Sequence, residues 1–223
     1  MQIKKIIHSC RKTIMLQVCD DATLIVKAPL GVGNNIIEKM VLKHSKWWEK
    51  KKKEVLSRDI KFTQKKFANG EIFYYLGQLY QLKIIQTEKL TNPLTLHGKY
   101  FYLRKGIANP REIFIAWYKQ AALEVICQRV VCKSKKKGFK YSQIKISSAQ
   151  KRWASCSQQG NLNFSWRLVM APLQVIDYVI IHELVHLIEK NHSRTFWNKV
   201  RMLMPEYKKQ QNWLKEKGYL LSL

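Results

Sequence analysis

Residues 172–190, PLQVIDYVIIHELVHLIEK, restrict what this chain can fold into more than any other stretch. Pro172 suits the first turn of a helix, and the residues behind it are so apolar that the helix belongs inside the protein. Two histidines and a glutamate in such a helix are costly to bury unless they share a role. A buried helix with individually satisfied histidines is the bland reading. The spacing argues for more. An α-helix turns about 100° and rises about 1.5 Å per residue, so residues four apart lie on one face within about 40°. His182 and His186 therefore direct two imidazoles at one point, with Glu183 to the side. This is the mechanical content of His-Glu-x-x-His: two metal ligands and a base that reaches a water on the metal. One zinc ion there lowers the pKa of its water toward about 7, and the carboxylate takes the proton as the water attacks a carbonyl.

A catalytic zinc takes three protein ligands and keeps a fourth position open. His192 is the favoured third ligand. Asn191 is expected to adopt the left-handed conformation, end the helix and let the chain fold back. Glu189 is the rival, because a helix that continued would return it to the face of His182. Four protein ligands would instead mark a structural zinc.

The rest of the chain reads as an α+β protein, with a β-rich amino-terminal region (1–108) and a helical catalytic region (109–223) packed as one unit. Strands are expected in KKIIHSC and TIMLQVCDDATLIVKAP, the latter a hairpin around Asp20–Asp21. A helix is expected from about Asn35 to Val55, with His44 as a packed side chain. Asn69–Gly70, Gly77–Gln78 and His97–Gly98 are further turn signals. Asn109, Pro110 and Glu112 predict a capped helix start, and the basic run at 133–140 a loop that ends that helix. YSQIKISSA and NLNFSWRL predict two strands of a small antiparallel sheet. A helix capped at Ser193 runs toward Pro205, and another ends at Gly218.

Lys and Arg number 41 against 15 Asp and Glu, a net charge of +26. Such a surface attracts polyanions, so nucleic acid is a candidate partner besides a protein or peptide. No apolar run reaches the roughly 18–20 residues of a membrane span. Five cysteines without a framework, and no secretory signal, point to the cytoplasm.

RWASCSQQGNLNFSWRLVMAP (152–172) followed by VIDYVIIHELVHLIEKNHSRTFW (175–197) closely resembles the YgjP-like zinc metallopeptidases, relatives of the SprT-like and WLM zincins. VKAPLGVG and YYLGQLYQL fit the family more weakly. The resemblance implies a zincin-like fold, with a small sheet against the active-site helix. It also implies zinc ligands at His182, His186 and His192, with Glu183 as the catalytic base. The SprT-like relatives lend some support to a nucleic-acid partner. The spacing from His182 to His192 equals that of the metzincins, which carry Gly where this chain has Glu189. The family reads Trp-Gly-Ser-Cys where this chain has Trp153, Ala154, Ser155 and Cys156. Cys156 is expected to be packed rather than ligating, and Trp153 and Trp166 to be core. Asn163, Ser165, Arg167 and Tyr178 are candidate substrate-binding residues. The backbone of 161–167 is expected to form an edge strand able to pair with an extended peptide. Tyr178, Tyr207 and Arg167 are candidate oxyanion donors.

Overall fold

In the computed structural model, which describes residues 3–19, 21–56, 65–86 and 92–223, the chain divides into two compact units, Met1–Gln64 and Lys65–Leu223. The first is built on β3 (Leu24–Pro29), whose Leu24, Val26 and Ala28 share one face and are fully buried. It lies between β1 (Ile3–Ser9), to which it runs parallel, and β2 (Met15–Val18), to which it runs antiparallel. Asp20, of the expected hairpin turn, lies outside the described residues. Asp21 accepts from the Thr23 amide and pairs with Lys4. Ile37 and Val41 of α1 (Asn34–Lys43) and Trp48 of α2 (Ser45–Leu56) complete this small core. The single helix expected over 35–55 is thus two. His44 stands exposed at the break, its amide shared between the Met40 and Val41 carbonyls at 3.2 Å each.

The second unit opens with β4 (Ile72–Tyr75), β5 (Gln78–Ile85), β6 (Leu94–His97) and β7 (Tyr100–Arg104) in the order β4-β5-β7-β6. Asn69–Gly70 leads into β4 instead of joining two strands, with Asn69 accepting from the Ile84 amide at 3.0 Å. The hairpin turn is Leu76–Gly77, where both residues have positive φ, 49° and 78°. That is an easy conformation for glycine and a strained one for leucine. The turn is held from outside: its two amides donate to the Val169 and Met170 carbonyls at 2.9 and 3.0 Å. A Cβ at Gly77 would sit 2.8 Å from Pro172 Cγ, so only glycine fits.

Across this sheet lies α3 (Pro110–Lys137). Phe114, Tyr118, Ala122, Ile126 and Val130, each four residues after the last, are all fully buried. Phe114 stacks on Phe73 at 4.3 Å between centroids, so β4–β7 share a core with α3. Burying each such ring is worth about 1.5–3 kcal/mol. The expected capping box does not form: Asn109 offers no side-chain cap, and the Glu112 amide bonds its backbone carbonyl instead. The helix also runs through the basic stretch to Gly138, which ends it at φ 70°. Lys133 is accommodated there by Asp177 at 2.8 Å.

β8 (Ile144–Ser147), β9 (Ala154–Cys156) and β10 (Leu162–Ser165) form a third sheet in the order β8-β10-β9. It is mixed, not antiparallel, because the expected connection supplies β9: β10 runs parallel to β8 and antiparallel to β9. β10 is therefore central, with its backbone paired on both sides, and the edges of the sheet are β8 and β9. A 3-10 turn, Trp166–Met170, leads to α4 (Leu173–His186). Ten of the fourteen α4 residues are buried, which explains its near-continuous apolar sequence. α5 (Arg194–Leu203) and α6 (Tyr207–Lys217) close the unit. No helix among the described residues is long and apolar enough to cross a membrane.

Candidate active site

α4 ends at His186, four residues before the sequence suggests. The Leu187 and Ile188 amides tighten onto the Leu184 and Val185 carbonyls at 3.1 Å each. Asn191 is not in the left-handed region; this early tightening, not an Asn cap, turns the chain back. Ser193 then caps α5 by accepting from the Phe196 amide at 3.3 Å. The loop so pinned delivers His192 to the exit of α4.

Three imidazoles converge there. His192 Nε2 lies 3.0 Å from His182 Nε2 and 3.1 Å from His186 Nε2. His186 Nδ1 donates to the Glu189 carbonyl at 2.9 Å, which leaves its Nε2 lone pair facing the other two rings. The Glu189 carboxylate turns away to Lys199, at 2.6 Å. Phe196, fully buried, backs all three rings at 4.9, 4.5 and 4.8 Å between centroids. Trp197 stacks on His192 at 5.7 Å. These aromatic supports carry no spacing signature; their place in the return segment was the only hint.

Burial, then the neighbouring His186 and His192, pushes His182 down to about 3. His192 is lowered by the same kinds of cause. Both shifts disfavour imidazolium at His182 and His192 and favour the neutral ring, the form that binds a cation. Glu183 is 5 % exposed, and burial raises it to about 7. Its Oε2 is buried without a hydrogen-bond partner among the described residues. An acid held in this way is poised to exchange a proton near neutrality. Together the three converging ring nitrogens and the unpaired carboxylate fit a metal site. No fourth His, Cys, Asp or Glu atom joins the three among the described residues.

Beside His182 and Glu183 opens a cavity of about 360 Å³. Tyr178, Val179, His182 and Glu183 of α4 line one side, Gln211, Leu214 and Lys215 of α6 another, and Arg152, Trp153 and Ala154 the side toward β9. Of the four candidate substrate-binding residues only Tyr178 reaches this cavity. Ser165 is buried and donates to the Ala149 carbonyl at 2.8 Å. Arg167 lies over Trp166 and donates to the Ser148 carbonyl at 3.1 Å. Asn163 sits in the central strand, opposite Lys145 and Ser155, with Oδ1 buried and unpartnered. Tyr207 is buried and stacks on Tyr178 at 6.3 Å. Cys156 contacts the Ser157 carbonyl and stays out of the cluster. Trp166 is core, as expected, but Trp153 is part of the cavity wall. Arg152, Gln211, Leu214 and Lys215 escape sequence reasoning because they are distant along the chain and make no motif.

A buried helix presenting a histidine cluster and an adjacent carboxylate to a cavity beside a strand edge is the arrangement of a metal-dependent hydrolase. The chain matches the model of the YgjP-like metallopeptidase domain over residues 12–217, and it belongs to that family. It is therefore a metallopeptidase-family enzyme, and the family implies a metal. No curated protein matches it. Among solved structures it is similar to the metallopeptidase zymogen abylysin of Pyrococcus abyssi, at 19% identity and TM-score 0.38, over 42% of this chain and 95% of that one. A second similar structure is the zymogen jannalysin of Methanocaldococcus jannaschii, at 19% identity and TM-score 0.34, over 43% and 95%.

Proposed function

We propose that the protein is a zinc metallopeptidase, with His182, His186 and His192 as ligands and Glu183 as the general base. The observation that carries this reading is the convergence of three Nε2 atoms beside an unpaired, buried carboxylate. Zinc–nitrogen bonds of about 2.0–2.1 Å in a tetrahedron put ligand nitrogens roughly 3.3 Å apart. The 3.0 and 3.1 Å from His192 Nε2 to its two neighbours lie close to this, and the three ligand atoms all lie within 4.8 Å of one another. When bound, the metal supplies Lewis-acid chemistry that acidifies water and polarises a carbonyl. Glu183 accepts the proton of the attacking water and returns it to the leaving amine, tasks suited to its raised pKa. A peptide extending β9 would lie along the cavity and bring its scissile bond toward Glu183. Tyr178, in the same wall, is the candidate donor to the developing oxyanion.

Glu183→Gln tests the mechanism. It should retain the metal while peptide hydrolysis falls by about 10²–10⁴-fold. Full hydrolysis by a metal-loaded variant would remove Glu183 from this role. The five free cysteines support the cytoplasm as the place of work. Only the net charge of +26 carries the second reading, a nucleic-acid partner. Salt-sensitive retention on DNA or RNA would support it, and no binding at low salt would remove it.

A further inference from the structure

The cavity has apolar walls and a basic rim. Trp153, Val179 and Leu214 supply the walls, while Arg152 of the segment leading into β9 and Lys215 of α6 line it and are both exposed. Neither forms an ion pair with another described residue. Among the described residues the only acid in the lining is Glu183, which is buried. The walls are fixed in place. Trp153 packs against Gly218, where an added Cβ would approach Cζ2 to 2.9 Å, and Tyr178 of α4 and Gln211 of α6 line the same cavity.

A volume of about 360 Å³ suits a side chain or a chain end, not a folded segment. The best-matched occupant has a short apolar stem and a terminal negative charge. The stem lies against Trp153 and Leu214, and the charge meets two cations that have no ion-pair partner among the described residues. A basic side chain meets like charge, and a neutral aromatic leaves both cations unused. We propose that this cavity binds a carboxylate-bearing residue of the peptide substrate, with Arg152 and Lys215 as the specificity-determining residues. The proposal rests on the peptidase reading above. The carboxylate belongs to an Asp or Glu side chain or to a peptide C-terminus, and the experiment separates the two.

The full-length, zinc-loaded protein is offered a random peptide pool with free or amidated C-termini, and cleavage positions are read by mass spectrometry. Enrichment of Asp and Glu at one position near the cleaved bond, in both pools, assigns the side chain. Cleavage confined to free termini assigns the C-terminus. Reversing both charges (Arg152→Glu with Lys215→Glu) should shift the preference at that position to Lys and Arg. Each single neutralisation should lower kcat/KM for the preferred substrate about tenfold, mostly through KM, the scale of one charge-assisted contact. Cleavage without acidic or terminal preference, or an unchanged preference in the reversed protein, overturns the proposal. A protein that cleaves nothing in either pool counts against the peptidase reading, and the cavity is then judged by binding. Fluorescence polarisation with the Glu183→Gln protein should show a labelled Glu peptide, or its free-acid form, binding about tenfold tighter than the Gln or amide counterpart. Equal affinities overturn the proposal.

Discussion

His186 is held by a short relay: its Nδ1 donates to the Glu189 carbonyl, and the Glu189 carboxylate is held by Lys199. The carbonyl belongs to the backbone and survives a side-chain change, so Glu189→Ala should keep the metal. Loosening this support should weaken metal affinity by about 10–100-fold. His192→Ala removes a nitrogen of the cluster itself and should leave the purified protein with little bound metal. Metal content by elemental analysis, with competition against a chelator, separates the two variants. Retention by His192→Ala together with loss by Glu189→Ala would make Glu189 the ligand. His182, Glu183, His186 and His192 were legible in the sequence because a helix face and one short return loop bring them together locally. Glu189 was ambiguous for the same reason, since its position depended on where α4 stopped. That stop is set by a tightened last turn with no sequence marker.

α4 is fixed to α3 through Asp177, which is 7 % exposed and pairs with Arg129 and with Lys133. Asp177→Asn keeps the shape and removes the charge. Two half-buried cations then lose their partner. A fully buried pair broken in this way costs about 3–5 kcal/mol, and partial exposure of the cations brings the expected loss to roughly 2 kcal/mol. The urea midpoint should fall accordingly, with the slope unchanged. The same contact explains why the end of α3 was misread. A basic stretch looks like a solvated loop until the acid that meets its first lysine, Lys133, is found, and that acid, Asp177, lies more than forty residues away. β9 was missed for a different reason: three residues are too few for alternation to show. The long elements α3 and α4 announced themselves through sustained apolar patterns.

At the scale of the molecule, the strands at 72–104 stand in the same unit as the histidine cluster, joined to it through α3 and the 3-10 turn. The docking of Leu76–Gly77 onto Val169, Met170 and Pro172 is a direct bridge within that unit. Gly77→Ala places a methyl against Pro172 in a backbone conformation that alanine resists. It should destabilise the protein by roughly 1–3 kcal/mol. The bridge also bears on how the protein folds. The β4–β5 hairpin closes from neighbouring residues, whereas its tip waits for a segment more than ninety positions later. Contacts of such separation are costly to close early. Gly77→Ala should therefore accelerate unfolding and leave the refolding rate nearly unchanged in a chevron measurement. Equal slowing of refolding would put this contact in the folding nucleus. If the tip docks last, it acts as a latch, and the lifetime of the folded enzyme is governed there, at a distance along the chain from the histidines it secures.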